Sequence, residues 1–401
     1  MGARQLRCRD ARAVTALTED SADGNIRPDG VREVMMASDA ERRITDGTAW
    51  REFCRALERA GEAVLRPETP ADAFDRAEGF RYLTRLLRAG LESQLEFADP
   101  RFPGFFQLSH ETIKIGNDNP DNVYRNANVS GRYRYRISGT RGDAPYLSFG
   151  TKGGGYESGE GTMLPTGQLD GDQLELGPDG TFEITVSSEP EKGNWLPMQP
   201  TTTQLIVRET FTDRAAQRPS RLSIARLGEP EDDALDPALL EQRLQRAVAF
   251  VSGTANLFVD WMARYAAHPN ALPSDDQAIC QRAGGDANIH YCQSRWQLGP
   301  DEALVIEIDH LPKRGSWNFQ LSNFWMESLD YRHHKIHLNP HSARLECDGS
   351  LRIAVAHRDP GGRYPNWLTT AGHHQGGMLF RWIGADEHPP IATRVVKLAE
   401  L

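Results

Sequence analysis

The chain has 401 residues, 39% of them hydrophobic and 25% charged, with 46 basic against 56 acidic side chains and a formal net charge of −10. That length suggests about two or three compact units, and the composition excludes a largely disordered chain. There is no Lys/Arg-rich stripe and no apolar run of the roughly 18 residues that a spanning helix needs, so nucleic acid and membrane are poor partners. The five cysteines are scattered and form no C-x-x-C, which argues against a zinc site or a disulfide framework and for a reducing, cytoplasmic setting.

Residues 1–45 are polar and lack sustained periodicity, so they read as a disordered leader. Residues 46–100 read as a helical region. Trp50, Phe53, Leu57 and Val64 recur at helical spacing, and Thr69-Pro70-Ala71-Asp72 offers an N-cap for a second helix through Leu83, Leu87 and Leu91. Residues 101–230 switch to a period of two, as in Tyr133-Arg134-Tyr135-Arg136-Ile137 and Phe182-Glu183-Ile184-Thr185-Val186, and read as a first antiparallel β unit. Residues 231–300 hold a long helix opened by Asp236-Pro237 and extending toward Tyr265, followed by a loop. Residues 301–401 are again strand-rich. The expected fold is mainly β with α: two related antiparallel β-sandwich, jelly-roll-like units, an N-terminal helical region and a long linking helix.

The two β units share an internal repeat. In the first, Asp179-Gly180-Thr181 opens an alternating strand, Pro190 ends it, and Asn194-Trp195-Leu196-Pro197 leads to a strand carrying Arg208. In the second, Asp348-Gly349-Ser350, Pro360, Asn366-Trp367-Leu368-Thr369 and Arg381 follow in the same order. Asp-Gly supplies the positive φ of a tight turn, the strand half-buries its apolar face, and the tryptophan anchors the returning loop.

These motifs, with Asn119-Pro120-Asp121-Asn122-Val123-Tyr124 and Tyr135-Arg136-Ile137-Ser138-Gly139 upstream, resemble the bacterial domain of unknown function 1214 family. The resemblance spans about residues 48–401. It implies β-sandwich, jelly-roll-like units with helical decoration and carries over no catalytic residue. Thr369 stands where the first copy has Pro197.

Candidate chemistry divides along the repeat. What both copies share serves the fold, whereas chemistry is expected where they differ. An arginine inside an apolar strand must pair with an acid or face a cavity, which makes Arg208 and Arg381 candidates for binding an anionic or carbonyl group. Eight of the twelve histidines fall between residues 310 and 374, so the second copy is histidine-rich. His333, His337 and His341 are spaced by four, but Asn339-Pro340 breaks the helix that would make them converge, and no metal or other cofactor is expected. Thr151-Lys152-Gly153-Gly154-Gly155 lacks the Gly-Lys-Ser/Thr order of a phosphate loop and reads as a hairpin loop suited to cover a pocket.

The expected function is metal-independent acid/base chemistry on a small organic molecule: hydrolysis, elimination or isomerisation. His341, His373 and Tyr124 would transfer protons, while Arg381, Trp367, Asp121, Arg125 and His374 would bind substrate. The alternative is a non-catalytic ligand- or carbohydrate-binding protein, with self-association left open.

Overall fold

The computed structural model describes residues 38–158, 162–229, 235–274 and 276–401, so the leader before residue 38 lies outside the described residues. Helix α1 (Asp39–Thr45) falls inside the stretch read as leader. Ser38 and Glu41 close a capping box at its start, and Arg43 ties it to Glu52 and to Glu241. One seven-residue helix that buries nothing leaves no periodicity to read.

Helix α2 (Thr48–Ala60) runs into a 3-10 turn, and α3 (Ala73–Leu91) follows. The N-cap of α3 is Asp72 rather than Thr69: its carboxylate accepts the Phe74 and Asp75 N–H groups at 3.0 Å. Thr69 instead donates its hydroxyl to the carbonyls of Val64 and Arg66, closing the preceding turn. The long helix α4 (Pro237–Tyr265) begins where the sequence predicts, with Asp236 accepting the Ala238 N–H and Pro237 in the first turn. Its Leu244, Val248, Val251, Phe258 and Met262 face a core shared with α2, α3 and both β units. A short helix, α5 (Gln277–Arg282), comes before the second unit. Among the described residues, no helix is long and apolar enough to cross a membrane.

The first unit contains β1 (Asn122–Asn128), β2 (Arg134–Thr140), β3 (Tyr146–Gly155), β4 (Thr162–Asp170), β5 (Thr181–Ser187), β6 (Trp195–Pro197), β7 (Thr202–Thr210) and β8 (Arg221–Leu227). The second contains β9 (Ile289–Gln297), β10 (Glu302–Ile308), β11 (Ser316–Leu321), β12 (His337–Leu338), β13 (Leu351–Ala356), β14 (Trp367–Thr369), β15 (Gln375–Ile383) and β16 (Ala392–Lys397). In the first unit the sheets run β1-β7-β3-β4 and β6-β5-β2-β8; in the second, β9-β15-β11-β12 and β14-β13-β10-β16. Each strand of the second unit therefore holds the place of the strand eight earlier in the first. All pairs are antiparallel except β5 with β6 and β13 with β14, which are parallel in both copies. The two sheets of a unit share one core, with Phe149 and Val207 against Ile137 and Ile184 in the first, and Phe319 and Phe380 against Ile306 and Ile353 in the second. Each such buried side chain contributes about 1.5–3 kcal/mol.

The shared motif has one geometry in both copies. Gly180 and Gly349 take φ of 77° and 85° in the turns, as Asp-Gly requires. The Asn194 amide donates to the carbonyls of Glu175 and Glu183 and accepts the Glu175 N–H. Asn366 does the same with Arg344 and Arg352. The indole N–H groups of Trp195 and Trp367 donate to the carbonyls of Ser187 and Ala356 at 3.4 and 3.1 Å.

The second unit starts before residue 301. Strand β9, placed by the sequence in the linking loop, is an edge of its sheet and pairs with β15 along nine residues. Its buried Gln293 and Ser294 interrupt the apolar alternation that marks the other strands.

Candidate functional site

The topology brings two arginines to one seam. On β7, Arg208 lies opposite Tyr124 of β1; on β15, Arg381 lies opposite Tyr291 of β9. Each arginine reaches across to the segment leading into the other unit. Arg208 donates to the carbonyl of Gly284, and Arg381 to the carbonyl of Asn117. Those two residues stand at the same distance before their tyrosines and both have positive φ, 95° and 58°, which turns the carbonyls toward the guanidinium groups.

The equivalence extends to the next residues. The Asp286 N–H donates to the Tyr291 hydroxyl at 2.8 Å, and the Asn119 N–H to the Tyr124 hydroxyl at 3.0 Å. Each phenol oxygen thus accepts a main-chain bond and keeps its own proton for another partner. Ser148 of β3 donates to the Asp286 carboxylate, and Asn318 of β11, its counterpart, donates to the Asn119 side-chain carbonyl.

Between the units lies a cavity of about 140 Å³ lined by both arginines and both tyrosines. Its apolar wall includes Met163, Ile206, Phe258, Trp261, Ile289 and Leu379. Asn117 and Asn122 also line it, both at least nine-tenths buried; among the described residues, neither polar side-chain atom of Asn117 has a partner, nor does the carbonyl oxygen of Asn122.

The two arginines differ in their electrostatics. Arg208 has the Asp286 carboxylate 3.8 Å away, and although burial disfavours the guanidinium charge, that carboxylate outweighs it and moves the arginine upward. Burial also disfavours the Asp286 charge, but Arg208 and Ser148 hold the carboxyl below its usual range. Arg381 is 5% exposed, and the partners it donates to are all uncharged: Asn318 Oδ1 at 3.3 Å, Gln320 Oε1 at 2.6 Å and the Asn117 carbonyl. Burial pulls it downward. Lys152, buried beside Arg208, donates to the Gly285 carbonyl at 2.9 Å, and burial and that arginine push its ammonium down to about 7.

Of the residues singled out in sequence, Tyr124, Arg208 and Arg381 line this cavity together. The other two residues expected to transfer protons do not join them. His341 is exposed at 59% of its side chain, 3.6 Å from Asp213. His373 is buried in a second cleft, of about 250 Å³, between α3 and the second unit. There its Nδ1 faces the Thr370 carbonyl at 3.0 Å and its Nε2 faces Glu78 at 2.6 Å. Burial disfavours the imidazolium, but the bond and charge of Glu78 outweigh it and raise the imidazole. In the same cleft Arg85 pairs with Glu327 at 2.6 Å, and the Lys114 ammonium donates to the carbonyls of Ser328 and Leu329. The Glu78–His373 and Arg85–Glu327 pairs tie α3 to the second unit, and Lys114 ties the segment after it.

The expected binding residues also separate. Asp121 accepts the Asn318 and Asn339 amides and lies 3.2 Å from His337, next to the seam. Arg125 pairs with the buried Glu209 and donates to the Ser220 carbonyl. Trp367 commits its indole N–H to the sheet, and His374 is exposed with its ring 5.2 Å from that of His357. The glycine-rich segment around Lys152 is the end of β3, continued by a 3-10 turn whose Tyr156 lines the cavity; residues 159–161 lie outside the described residues. Among the described residues, no group of three or more His, Cys, Asp or Glu is placed to hold a metal ion.

The family profile described as "Protein of unknown function (DUF1214)" matches residues 124–210, from the cavity-lining Tyr124 to just past Arg208. The chain is also similar to an uncharacterized protein from Burkholderia cenocepacia known from its crystal structure, with 52% identity over 90% of this chain and 99% of that one and a TM-score of 0.87. The chain belongs to the DUF1214 family. A weaker likeness, 12% identity with a TM-score of 0.46 over 85% of this chain and 100% of that one, links it to the VPA0106 protein from Vibrio parahaemolyticus. No curated protein matches it. In this DUF1214 chain the profile covers the first half of the seam, and the repeat supplies the second.

Sequence reasoning missed Tyr291, Asp286 and Glu78. For the first two a signal was present. Aligning the repeat upstream of its strand turn sets Asn117-Asp118-Asn119 against Gly284-Gly285-Asp286, five residues before the aligned Tyr124 and Tyr291.

Proposed function

We propose that the protein binds a small carboxylate with a compact apolar body in the cavity between its two β units. The observation that carries this reading is Arg381, a buried guanidinium at a cavity wall whose partners are all uncharged. Asp118 and Asp121 favour its charge only from a distance; a buried cation with no carboxylate in contact is costly, and a ligand carboxylate supplies one in the planar, two-pronged form that guanidinium matches best. The phenol protons of Tyr124 and Tyr291 and the unpartnered Asn117 amide add neutral donors, and Phe258, Trp261 and Leu379 supply apolar wall. The volume sets the scale: a cavity of about 150 Å³ takes a molecule the size of benzene.

Isothermal titration with benzoate, 3-methylbutyrate and the uncharged isostere benzamide tests it. Both carboxylates should bind and benzamide should bind at least about tenfold more weakly, a difference of about 1.4 kcal/mol. Arg381→Gln should abolish the discrimination. Should that variant fail to fold, Tyr124→Phe and Tyr291→Phe should each weaken benzoate while keeping a cooperative thermal transition, lowered because each frees a buried main-chain N–H. Equal affinity for benzoate and benzamide in the wild-type protein overturns the reading.

A second, catalytic reading rests on the same two phenols, which retain protons inside the cavity and would serve as general acids. Proton NMR of each bound carboxylate over time distinguishes it: turnover supports catalysis, and an unchanged ligand supports binding alone.

A further inference from the structure

The seam is built twice from one plan, yet its two ends carry different charge. At one end Arg208 faces Asp286; at the other, the position equivalent to Asp286 is Asn119, and Arg381 meets amides and a carbonyl. Both Asp286 and Asn119 precede their tyrosines by five residues. Both donate their N–H to the tyrosine hydroxyl, and both side chains are bonded by the equivalent residue of the facing β strand, Ser148 or Asn318. One scaffold position thus holds a carboxylate in one copy and an amide in the other. Among the described residues the Asn119 Nδ2 has no partner, and the residue is 3% exposed, so they leave the amide's remaining capacity unfilled.

We propose that this exchange sets ligand class: Asp286 neutralises the Arg208 end and Asn119 leaves the Arg381 end cationic, so the cavity takes a monocarboxylate, carboxylate toward Arg381, and rejects dicarboxylates. This inference rests on the carboxylate-binding reading above. A second carboxylate at the Arg208 end would face Asp286, and like charges in a low-dielectric site repel strongly. Two further carboxyls, Asp118 in the cavity lining and Asp121 beside it, favour the Arg381 charge without touching it; burial raises Asp118 above its usual range, and both are held by other groups. Asp121 accepts the Asn318 and Asn339 amides, and Asp118 accepts the backbone N–H and hydroxyl of Ser328. Lys152 does not line the cavity, and its ammonium is committed to the carbonyl of Gly285, which does.

The equivalence of the two positions supplies paired substitutions. Asp286→Asn makes the Arg208 end like the Arg381 end, and Asn119→Asp does the reverse. Titrations at pH 8.5, where Lys152 is mostly neutral, would use benzoate and the dicarboxylates succinate, glutarate and adipate with full-length protein. Wild type should favour benzoate over every dicarboxylate by at least about tenfold. Asp286→Asn should move that ratio toward at least one dicarboxylate by about tenfold or more, and Asn119→Asp should weaken benzoate by a similar factor with an unchanged circular dichroism spectrum. A merely structural role for Asp286 would lower affinity for both ligand classes alike and leave the ratio fixed. Wild type that prefers a dicarboxylate, or an unmoved ratio in a folded Asp286→Asn, overturns the proposal while the carboxylate reading stands. If Asp286→Asn does not fold, undiminished benzoate affinity in Asn119→Asp overturns it. Failure of wild type to bind any of these carboxylates removes the reading and the proposal together.

Discussion

The two β units agree in strand order, in the Asn-Trp turn and in the tyrosine-arginine pair, and they differ in where they place buried charge. In the first, Arg125 and Glu209 form an ion pair with Glu209 fully buried. At the equivalent positions of the second stand Cys292 and Trp382, both in its apolar core. The carboxylate and amide are likewise exchanged beside the seam: Asn288 donates to Asp170 at 2.8 Å in one half, and Asn339 donates to Asp121 at 2.9 Å in the other. The scaffold therefore tolerates a pair of either kind, provided both members change together. What it does not tolerate is half a pair, because a buried charge or amide left alone has no water to turn to.

The largest expected effect follows from that rule. Arg125→Ala should destabilise the protein by about 3–5 kcal/mol, because it leaves Glu209 buried and unpaired, whereas Arg125→Met with Glu209→Leu should cost less, its remaining loss coming from the Ser220 N–H and carbonyl that the pair had satisfied. Chemical denaturation of the single and double variants measures the difference; equal losses would show that the second unit's apolar solution does not transfer to the first.

The turns give a smaller contrast. Asn366 is 1% exposed and Asn194 only partly buried, although each makes the same three main-chain bonds. Asn366→Ala should cost on the order of 3 kcal/mol and Asn194→Ala about 1 kcal/mol, since water reaches the groups freed in the first copy more readily. Equal costs would mean that the two turns are buried alike.

The smallest effect is the pH dependence of the contact between α3 and the second unit. His373 is raised by Glu78, so its stabilisation is complete below the imidazole's unfolded value near 6.5 and is lost as pH rises through the folded value. Glu78 is lowered: burial opposes its charge, but His373 outweighs burial, so its contribution is present above about 4.3 and lost as pH falls through its folded value. The difference in melting temperature between wild type and His373→Gln should shrink on the alkaline side of that window, a comparison that cancels the opposite trend of Lys152, which is lowered to about 7. A difference that stays constant there would show that the Glu78 pair does not govern it.

Much of the fold was legible because duplication writes each element twice. The Asp-Gly turns, the Asn-Trp anchors and the alternating strands recur in order, and the Asp236-Pro237 start of α4 is a local signal that the structure keeps. Strand β9 was hidden because buried Gln293 and Ser294 break its alternation, and α1 because one exposed turn pair has no apolar stripe. Of the candidate site, Tyr124, Arg208 and Arg381 were legible, the arginines from the cost of a cation in an apolar strand. The histidines misled because abundance in a segment says nothing of direction: His341 faces solvent near Asp213, and His373 closes a bond to an acid on α3 almost 300 positions earlier. Glu78 carried no local signal, since its partner is set by how the helices dock.

The most direct test of the central claim, that the seam between the duplicated units is an anion site centred on Arg381, is a crystal structure of the protein soaked with benzoate. The account predicts a carboxylate within hydrogen-bonding distance of the Arg381 guanidinium, with the ring against Phe258 and Trp261. Benzoate ordered instead in the Glu78–His373 cleft, or a cavity without ligand at saturating benzoate, would contradict it.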